Sequence, residues 1–221
     1  MVRIESRILS PTAINTFISC PRKFYLRYVR KLKSKPSIYL IRGSIVHNVI
    51  HDFHHRFPRG PPKATIEDIE KALIDNFTNK WAQAKGSLDA LDLPAEWIDC
   101  HFNDTSSMLK NFAWWYFEND EPVADRSEAR LYSKTFKLIG IIDAVYRSGD
   151  EVALVDYKTS KKIEITPDIT RQAALYGLLY KDQYGIEPAV IRIHFLAVKE
   201  DPAAIFVDDH LLDYAQTLVQ R

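Results

Sequence analysis

The chain has 221 residues, 46% of them apolar and 27% charged, and its 30 basic and 29 acidic side chains leave a net charge of +1. That length holds one sizeable domain with room for an inserted subdomain, and the composition is that of a globular protein, not a disordered or fibrous one. Cys20 and Cys100 are far apart with no CxxC spacing, so neither a disulfide framework nor a zinc site is supported. No apolar run reaches the roughly 18 residues of a membrane span, and Met-Val-Arg-Ile-Glu is no signal peptide, so the expected compartment is the cytoplasm.

Ser10-Pro11 offers an N-cap followed by proline at the first helical position, and Ile14, Phe17, Ile18, Phe24 and Tyr25 continue at mostly helical spacing. Pro21 should break this helix in two. The second piece runs into Arg22, Lys23, Arg27, Arg30, Lys31, Lys33 and Lys35, a stretch without an acid. Such a run is either a solvated helix end or a groove that tracks phosphates. A loop at Ser34–Ser37 precedes a helix over Leu40–Phe57, whose apolar stripe is Ile41, Ile45, Val49, Ile50 and Phe53. On it, His51, His54 and His55 read as solvent-facing. His47 differs, because Gly43 one turn earlier permits close approach to a sheet or ligand.

Pro58–Pro62 is expected as a loop. Thr65 with Asp68 caps a helix to about Lys85, Leu88–Leu93 links, and Pro94 opens an aromatic-rich helix containing Trp97, Phe102, Phe112, Trp114, Trp115, Tyr116 and Phe117. Aromatics at helical spacing suit a core, the alternative being a base-stacking surface. Residues 60–120 thus read as a helical insertion or cap over a sheet core at 123–207. Strands follow at Val123–Tyr132, which carries Glu128, at Phe136–Tyr146 and at Val152–Lys158. A helix over Pro167–Tyr184 closes at Gly185; strands at Ala189–Val198 and Ala204–Val207 and a terminal helix from His210 complete the chain. Helices, strands, a helix and more strands predict an α/β fold with a mixed sheet covered on both sides.

Ile139–Tyr146 and Glu151–Thr159 flank Ser148-Gly149 and read as a β-hairpin. Within it, Asp143, Asp156 and Lys158 are charges that strand packing alone would not select. Asp156 and Lys158, two apart, share a face. With Arg147 opposite Asp150, Ile141 lies opposite Asp156 and Asp143 sits diagonally beside it. Two such carboxylates repel unless a cation lies between them, and oxygen-rich ligands favour Mg²⁺ or Mn²⁺. The other reading is an edge-strand ion pair. Ser160-Lys161-Lys162 follows, placed to meet phosphate, and on the next helix Gln172 and Tyr176 project from one face.

Taken together, these stretches resemble the PD-(D/E)XK nuclease superfamily, in particular its RecB-like branch, which includes CRISPR-adaptation exonucleases. Leu9–Tyr25 resembles the branch's N-terminal signature, Gly43-Ser-Ile-Val-His47 its GxxxH motif and Gly140-Ile-Ile-Asp143 its GxxD. Asp156-Tyr-Lys158 resembles (D/E)xK and Gln172-Ala-Ala-Leu-Tyr176 resembles QxxxY, all in family order over residues 9–198. The resemblance implies a restriction-endonuclease-like fold with a helical N-terminal region. It also implies metal ligation by His47, Asp143, Asp156 and the Tyr157 carbonyl. Lys158 would orient the attacking water or stabilise the pentacovalent phosphorus, with Gln172 and Tyr176 orienting that lysine and holding the nucleic-acid backbone. Glu128 would support the ligands from outside. Arg22, Lys23, Arg27, Lys161, Lys162 and Arg171 are the DNA-contact candidates. Iron–sulfur members match Cys20 but add three cysteines near the C-terminus; residues 186–221 have none, so no iron–sulfur cluster is expected. The implied activity is Mg²⁺- or Mn²⁺-dependent DNA hydrolysis, preferably exonucleolytic and on single-stranded ends. Its setting would be a homo-oligomer or a larger repair or CRISPR assembly, and the alternative is a nucleic-acid-binding subunit that cuts poorly.

Overall fold

The computed structural model describes residues 7–57, 64–119 and 124–220; the Pro58–Pro62 stretch lies outside them. Ser10 accepts from Ala13 N–H and Pro11 opens α1 (Pro11–Ser19), because proline's missing N–H costs nothing in a first turn. Pro21 starts α2 (Pro21–Phe24), which continues into one π-helical turn, Tyr25–Val29. Cys20 is exposed. As the N-cap of α2 it accepts from Lys23 N–H at 3.4 Å, and a helix end leaves its sulfur open to water. Helix α3 (Ile38–Arg56) carries the GxxxH stretch. A Thr65–Asp68 capping box starts α4 (Ile66–Gln83), and the short α5 (Lys85–Asp89) leads to the long α6 (Ala95–Glu118).

Five strands follow the order of the chain: β1 (Arg126–Ser133), β2 (Leu138–Ser148), β3 (Glu151–Lys158), β4 (Val190–Phe195) and β5 (Ala203–Phe206). All neighbours are antiparallel except β3 and β4, which are parallel because α7 (Pro167–Tyr184) forms the crossover between them. Helix α8 (Asp209–Gln220) ends the described chain. The sheet is mixed and has helices on both faces, as expected.

The two faces hold separate cores. On one, Val46, Val49 and Phe53 of α3, Leu73 and Phe77 of α4 and Leu109 and Phe112 of α6 pack with Ala144, Tyr146, Val155 and Tyr157. On the other, Ile14 of α1, Leu175 and Leu179 of α7 and Leu212 and Ala215 of α8 pack with Ile142, Leu154, Ile191 and Ile193. The aromatic helix α6 is core at Phe112, Trp115 and Tyr116, whereas Trp97 and Phe117 are exposed. Among the described residues no helix is long and apolar enough to cross a membrane.

Two glycines behave differently from each other. At Gly43 a Cβ would meet Thr159 Oγ1 at 3.7 Å, an ordinary contact, so packing within the chain does not itself demand glycine there. At Gly140 a Cβ would lie 2.8 Å from Tyr176 Cε1 and 3.1 Å from Leu179 Cδ1, because α7 rests directly on β2. Gly140→Ala should therefore destabilise the protein by ~1–3 kcal/mol, the usual cost of overpacking. An unchanged denaturant midpoint contradicts this.

His54 does not face solvent, contrary to expectation; it is 3% exposed, because α3 is covered by the sheet on one side and by α4 and α6 on the other. His51 is half-buried against Ser127 Oγ at 2.8 Å, and His55 is exposed. His194 on β4 is also buried, with no hydrogen-bond partner on either ring nitrogen. Burial pushes both His54 and His194 down to about 4. Between that value and 6.5 the unfolded chain binds protons that the folded chain refuses, so stability is lost as pH falls through this window, by ~3 kcal/mol per histidine. Urea titrations at pH 7 and 4.5 should show the loss, and His194→Leu should make it smaller. An equal loss in the variant contradicts the assignment.

Candidate active site

The hairpin sets the site. Ser148 pairs with Glu151 and Ala144 with Val155, two residues out of step with the expected pairing of Arg147 with Asp150. The turn is Gly149-Asp150, with Gly149 at φ 61°, a backbone shape that two-residue hairpin turns demand. A slip of two preserves the face of every side chain. The ladder ends at Ala144, and one more step of it would set Asp143 directly opposite Asp156 instead of diagonal to it.

A local irregularity aims Asp143. Ala144 and Tyr146 pack toward α3 and α6, whereas Ile142 packs toward α7, although a regular strand would send all three to one face. Strand β1 changes face as well: Ser127 bonds to His51 of α3, and Ala129 joins the α7 side. Since Ser127 pairs with Ala144 and Ala129 with Ile142, the change falls at Glu128 on β1 and Asp143 on β2. Glu128 has φ 51°, a left-handed conformation uncommon outside glycine and often found at functional sites. Donor atoms of Glu128, Asp143 and His47 of α3 lie within 4.8 Å of one another.

Asp143 uses both oxygens. Oδ1 is 2.9 Å from His47 Nδ1, and Oδ2 accepts from Tyr157 N–H at 2.7 Å. That amide belongs to β3 just where β2 no longer offers it a ladder partner. Burial works against protonating His47, but the bond to Asp143 and the charges of Asp143, Asp156 and Glu128 outweigh it and raise the imidazole's pKa. Glu128 is raised by burial and then by Asp143.

Asp156 is 6% exposed, and burial raises its carboxyl pKa against the lowering effect of Lys158. Lys158 Nζ lies 2.6 Å from Asp156 Oδ2, an ion contact between neighbours on one strand face, and that oxygen has no properly aligned hydrogen-bond donor. Lys158 Nζ also donates to Gln172 Oε1 at 2.9 Å. The Gln172 amide faces Tyr176 Oη at 3.4 Å, and Tyr176 donates to the Ile141 carbonyl at 2.7 Å. Each donor has an acceptor along this line, so the amide orientation of Gln172 is fixed. Burial raises the Tyr176 phenol further above its ordinary value, which keeps the donor protonated.

These residues fit a small divalent cation. The buried Asp156 Oδ2 lacks an aligned donor, its carboxyl feels the charges of Asp143 and His47, and the donor atoms of those two residues gather with that of Glu128. The 2.9 Å between His47 Nδ1 and Asp143 Oδ1 matches neighbouring donors around an octahedral ion with bonds of about 2.1 Å. Oxygen donors with one nitrogen suit Mg²⁺ or Mn²⁺. Glu128, expected to support the ligands from outside, brings a carboxylate oxygen within 4.8 Å of the donor atoms of His47 and Asp143; the sequence signal was a glutamate facing the GxxD aspartate across a strand pair, but its backbone turn was not legible.

The basic candidates divide by environment. Arg22, Lys23 and Arg27 are exposed on α2 and the π-turn. Lys161 is paired with Asp104 at 2.7 Å, and Lys162 with Glu164. Arg171 bonds to Asp168 and, through Nε, to Asn15 Oδ1 at 2.8 Å, a tie between α7 and α1 that leaves its side chain only 13% exposed. Arg42, passed over in the sequence although it precedes Gly43, is buried and donates to the Thr159 carbonyl at 2.6 Å, holding the chain just beyond Lys158.

Residues 8–220 match the model of the PD-(D/E)XK nuclease superfamily. One subunit of the ATP-dependent helicase/deoxyribonuclease of Streptococcus agalactiae, from serotypes Ia, V and III, is 28% identical over 165 residues, which are 69% of this chain. The chain spans only 14% of the length of those relatives. The crystal structure of a candidate exonuclease from Eubacterium rectale superposes with a TM-score of 0.60 at 14% identity, covering 100% of this chain and 83% of the other, and so shares the fold. With the match running across nearly all of its length, the chain belongs to the PD-(D/E)XK nuclease superfamily.

Proposed function

We propose that this chain is a divalent-metal-dependent deoxyribonuclease that hydrolyses phosphodiester bonds, acting as an exonuclease on single-stranded DNA or DNA ends. One observation carries the reading: Lys158 is held between Asp156 and Gln172 beside a cluster of His47, Glu128 and Asp143. Three carboxylates against one ammonium leave an excess of two negative charges when the imidazole is neutral. A site so charged rejects a phosphodiester until a divalent cation enters.

His47, Asp143 and Asp156, with Glu128 and the Tyr157 carbonyl, would hold Mg²⁺ or Mn²⁺. When bound, the ion supplies positive charge that polarises the phosphate and acidifies the attacking water. The Lys158 ammonium, fixed by its ion contact with Asp156 and its hydrogen bond to Gln172, orients that water and faces the charge that grows on the phosphorus oxygens. Gln172 and Tyr176 hold the lysine through the line of hydrogen bonds that ends on the Ile141 carbonyl. The leaving 3′ oxygen takes its proton from solvent. No step uses the 2′ hydroxyl, so DNA suffices as substrate. Arg22, Lys23 and Arg27 offer exposed positive charge for the flanking backbone. The name of the streptococcal relatives, a helicase/deoxyribonuclease subunit, supports DNA as substrate and action inside a larger assembly.

With end-labelled single-stranded DNA and Mn²⁺ or Mg²⁺, the wild type should release nucleotides progressively from an end. Asp156→Asn and Lys158→Ala should each lower kcat by roughly 10²–10³-fold, and undiminished cleavage by either would falsify the assignment. Gln172→Leu should lower kcat by about 10–100-fold with little change in KM, as expected when a partner that orients a reacting group is lost. A purely raised KM would place Gln172 in substrate binding instead.

A further inference from the structure

Beneath the acidic cluster lies a second group of polar side chains that the proposed reaction does not use. His54, two turns beyond His47 on α3, points Nε2 at Tyr157 Oη (3.4 Å) and Tyr146 Oη (3.5 Å), and the two phenol oxygens are 3.3 Å apart. The amide of Ala124, ahead of β1, faces His54 Nδ1 at 3.5 Å. All three side chains are at most 4% exposed, and the Phe112 ring packs edge-on against both His54 and Tyr157. Burial keeps the imidazole neutral near pH 7. With Nδ1 accepting from a backbone amide, its single proton lies on Nε2 and is directed at the tyrosine pair.

The placement of this node is what makes it informative. Every segment that supplies the acidic cluster also supplies one member of the node. Helix α3 gives His47 and His54, and the β1 segment gives Glu128 and the Ala124 amide. Strand β2 gives Asp143 and Tyr146; strand β3 gives Asp156 and Lys158 with Tyr157 between them. Four segments therefore meet twice, once in the buried and partly buried acidic site, whose carboxylates repel one another, and once in the core through neutral groups that attract. The repulsion among Glu128, Asp143 and Asp156 tends to push the segments apart, and the node opposes it a few residues away.

We propose that His54, Tyr146 and Tyr157 are positioning residues whose buried hydrogen-bonded node sets the relative placement of α3, β1, β2 and β3, and so holds the donor atoms of the cluster ready for a divalent cation. This rests on the cation reading given above. Neutral groups suit the task because a charged tie in the same place would itself perturb the site. Hydrogen bonds outside a ligand set commonly govern affinity in this way.

The test uses the full chain without metal and then with Mn²⁺ alone. Hydrogen exchange at the Tyr157 amide, which donates to Asp143, reports the position of β3 before any cation is present. Tyr157→Phe, Tyr146→Phe and His54→Leu should speed that exchange about tenfold relative to core amides of α7. They should also weaken Mn²⁺ binding, followed by the electron spin resonance of the free ion, by about 10–100-fold. His54→Gln, which retains a terminal donor, should recover most of both effects. Should His54→Leu fail to fold, the two tyrosine variants decide. Unchanged Tyr157 exchange and unchanged Mn²⁺ affinity in the folded variants overturn the proposal. A wild type that binds no Mn²⁺ overturns the cation reading, and the node then stands or falls on the Tyr157 amide.

Discussion

Asp143 directs both of its carboxylate oxygens into the protein, one to His47 on α3 and one to the backbone of Tyr157 on β3. It can do so because the β2–β3 ladder stops one residue earlier, at Ala144 and Val155, leaving an amide that a side chain must satisfy. A buried backbone donor thus becomes a tether for a carboxylate. Through this one side chain, the helix carrying the imidazole and the strand carrying Asp156 and Lys158 meet at fixed distances.

The chemistry follows from a mismatch of charge. Burial raises the carboxyls of Asp156 and Glu128 and opposes ionising His47, while the carboxylates pull that imidazole the other way. Left alone, such a cluster gathers protons, and a divalent cation competes for the same lone pairs. Lys158 offsets only part of the negative charge. It is kept in register by Gln172, whose own amide is fixed through Tyr176 and a main-chain carbonyl. Gly140 completes the arrangement by leaving room for the Tyr176 ring.

Much of this was legible in the sequence for simple reasons. Proline and capping residues mark the starts of α1, α4 and α7, and two apolar runs rich in Val and Ile around a Ser-Gly turn mark the hairpin, so element order and mixed-sheet class follow. Three charges in an apolar hairpin point to the site because burying them otherwise costs too much. What the sequence hid depends on tertiary contact. The hairpin register turned on whether the turn was Ser148-Gly149 or Gly149-Asp150, choices that differ little locally. The shared change of face at Glu128 and Asp143 has no compositional marker, so the closeness of Glu128 to His47 could not be read. His54 looked polar and solvent-facing because the helices that cover it, α4 and α6, are remote in sequence. The engagement of Arg171, a DNA-contact candidate, by Asn15 and Asp168 also joins residues remote in sequence.

Three segments bring His47, Glu128 and Asp143 together, Asp156 lies buried on a fourth, and the proposed chemistry depends on these residues holding one divalent cation. Crystals soaked in Mn²⁺ and measured on both sides of the manganese absorption edge test it most directly. The expected result is an anomalous peak among His47, Asp143 and Asp156, within bonding distance of their donor atoms. An anomalous map without a peak there, from crystals in which these side chains are ordered, would contradict it.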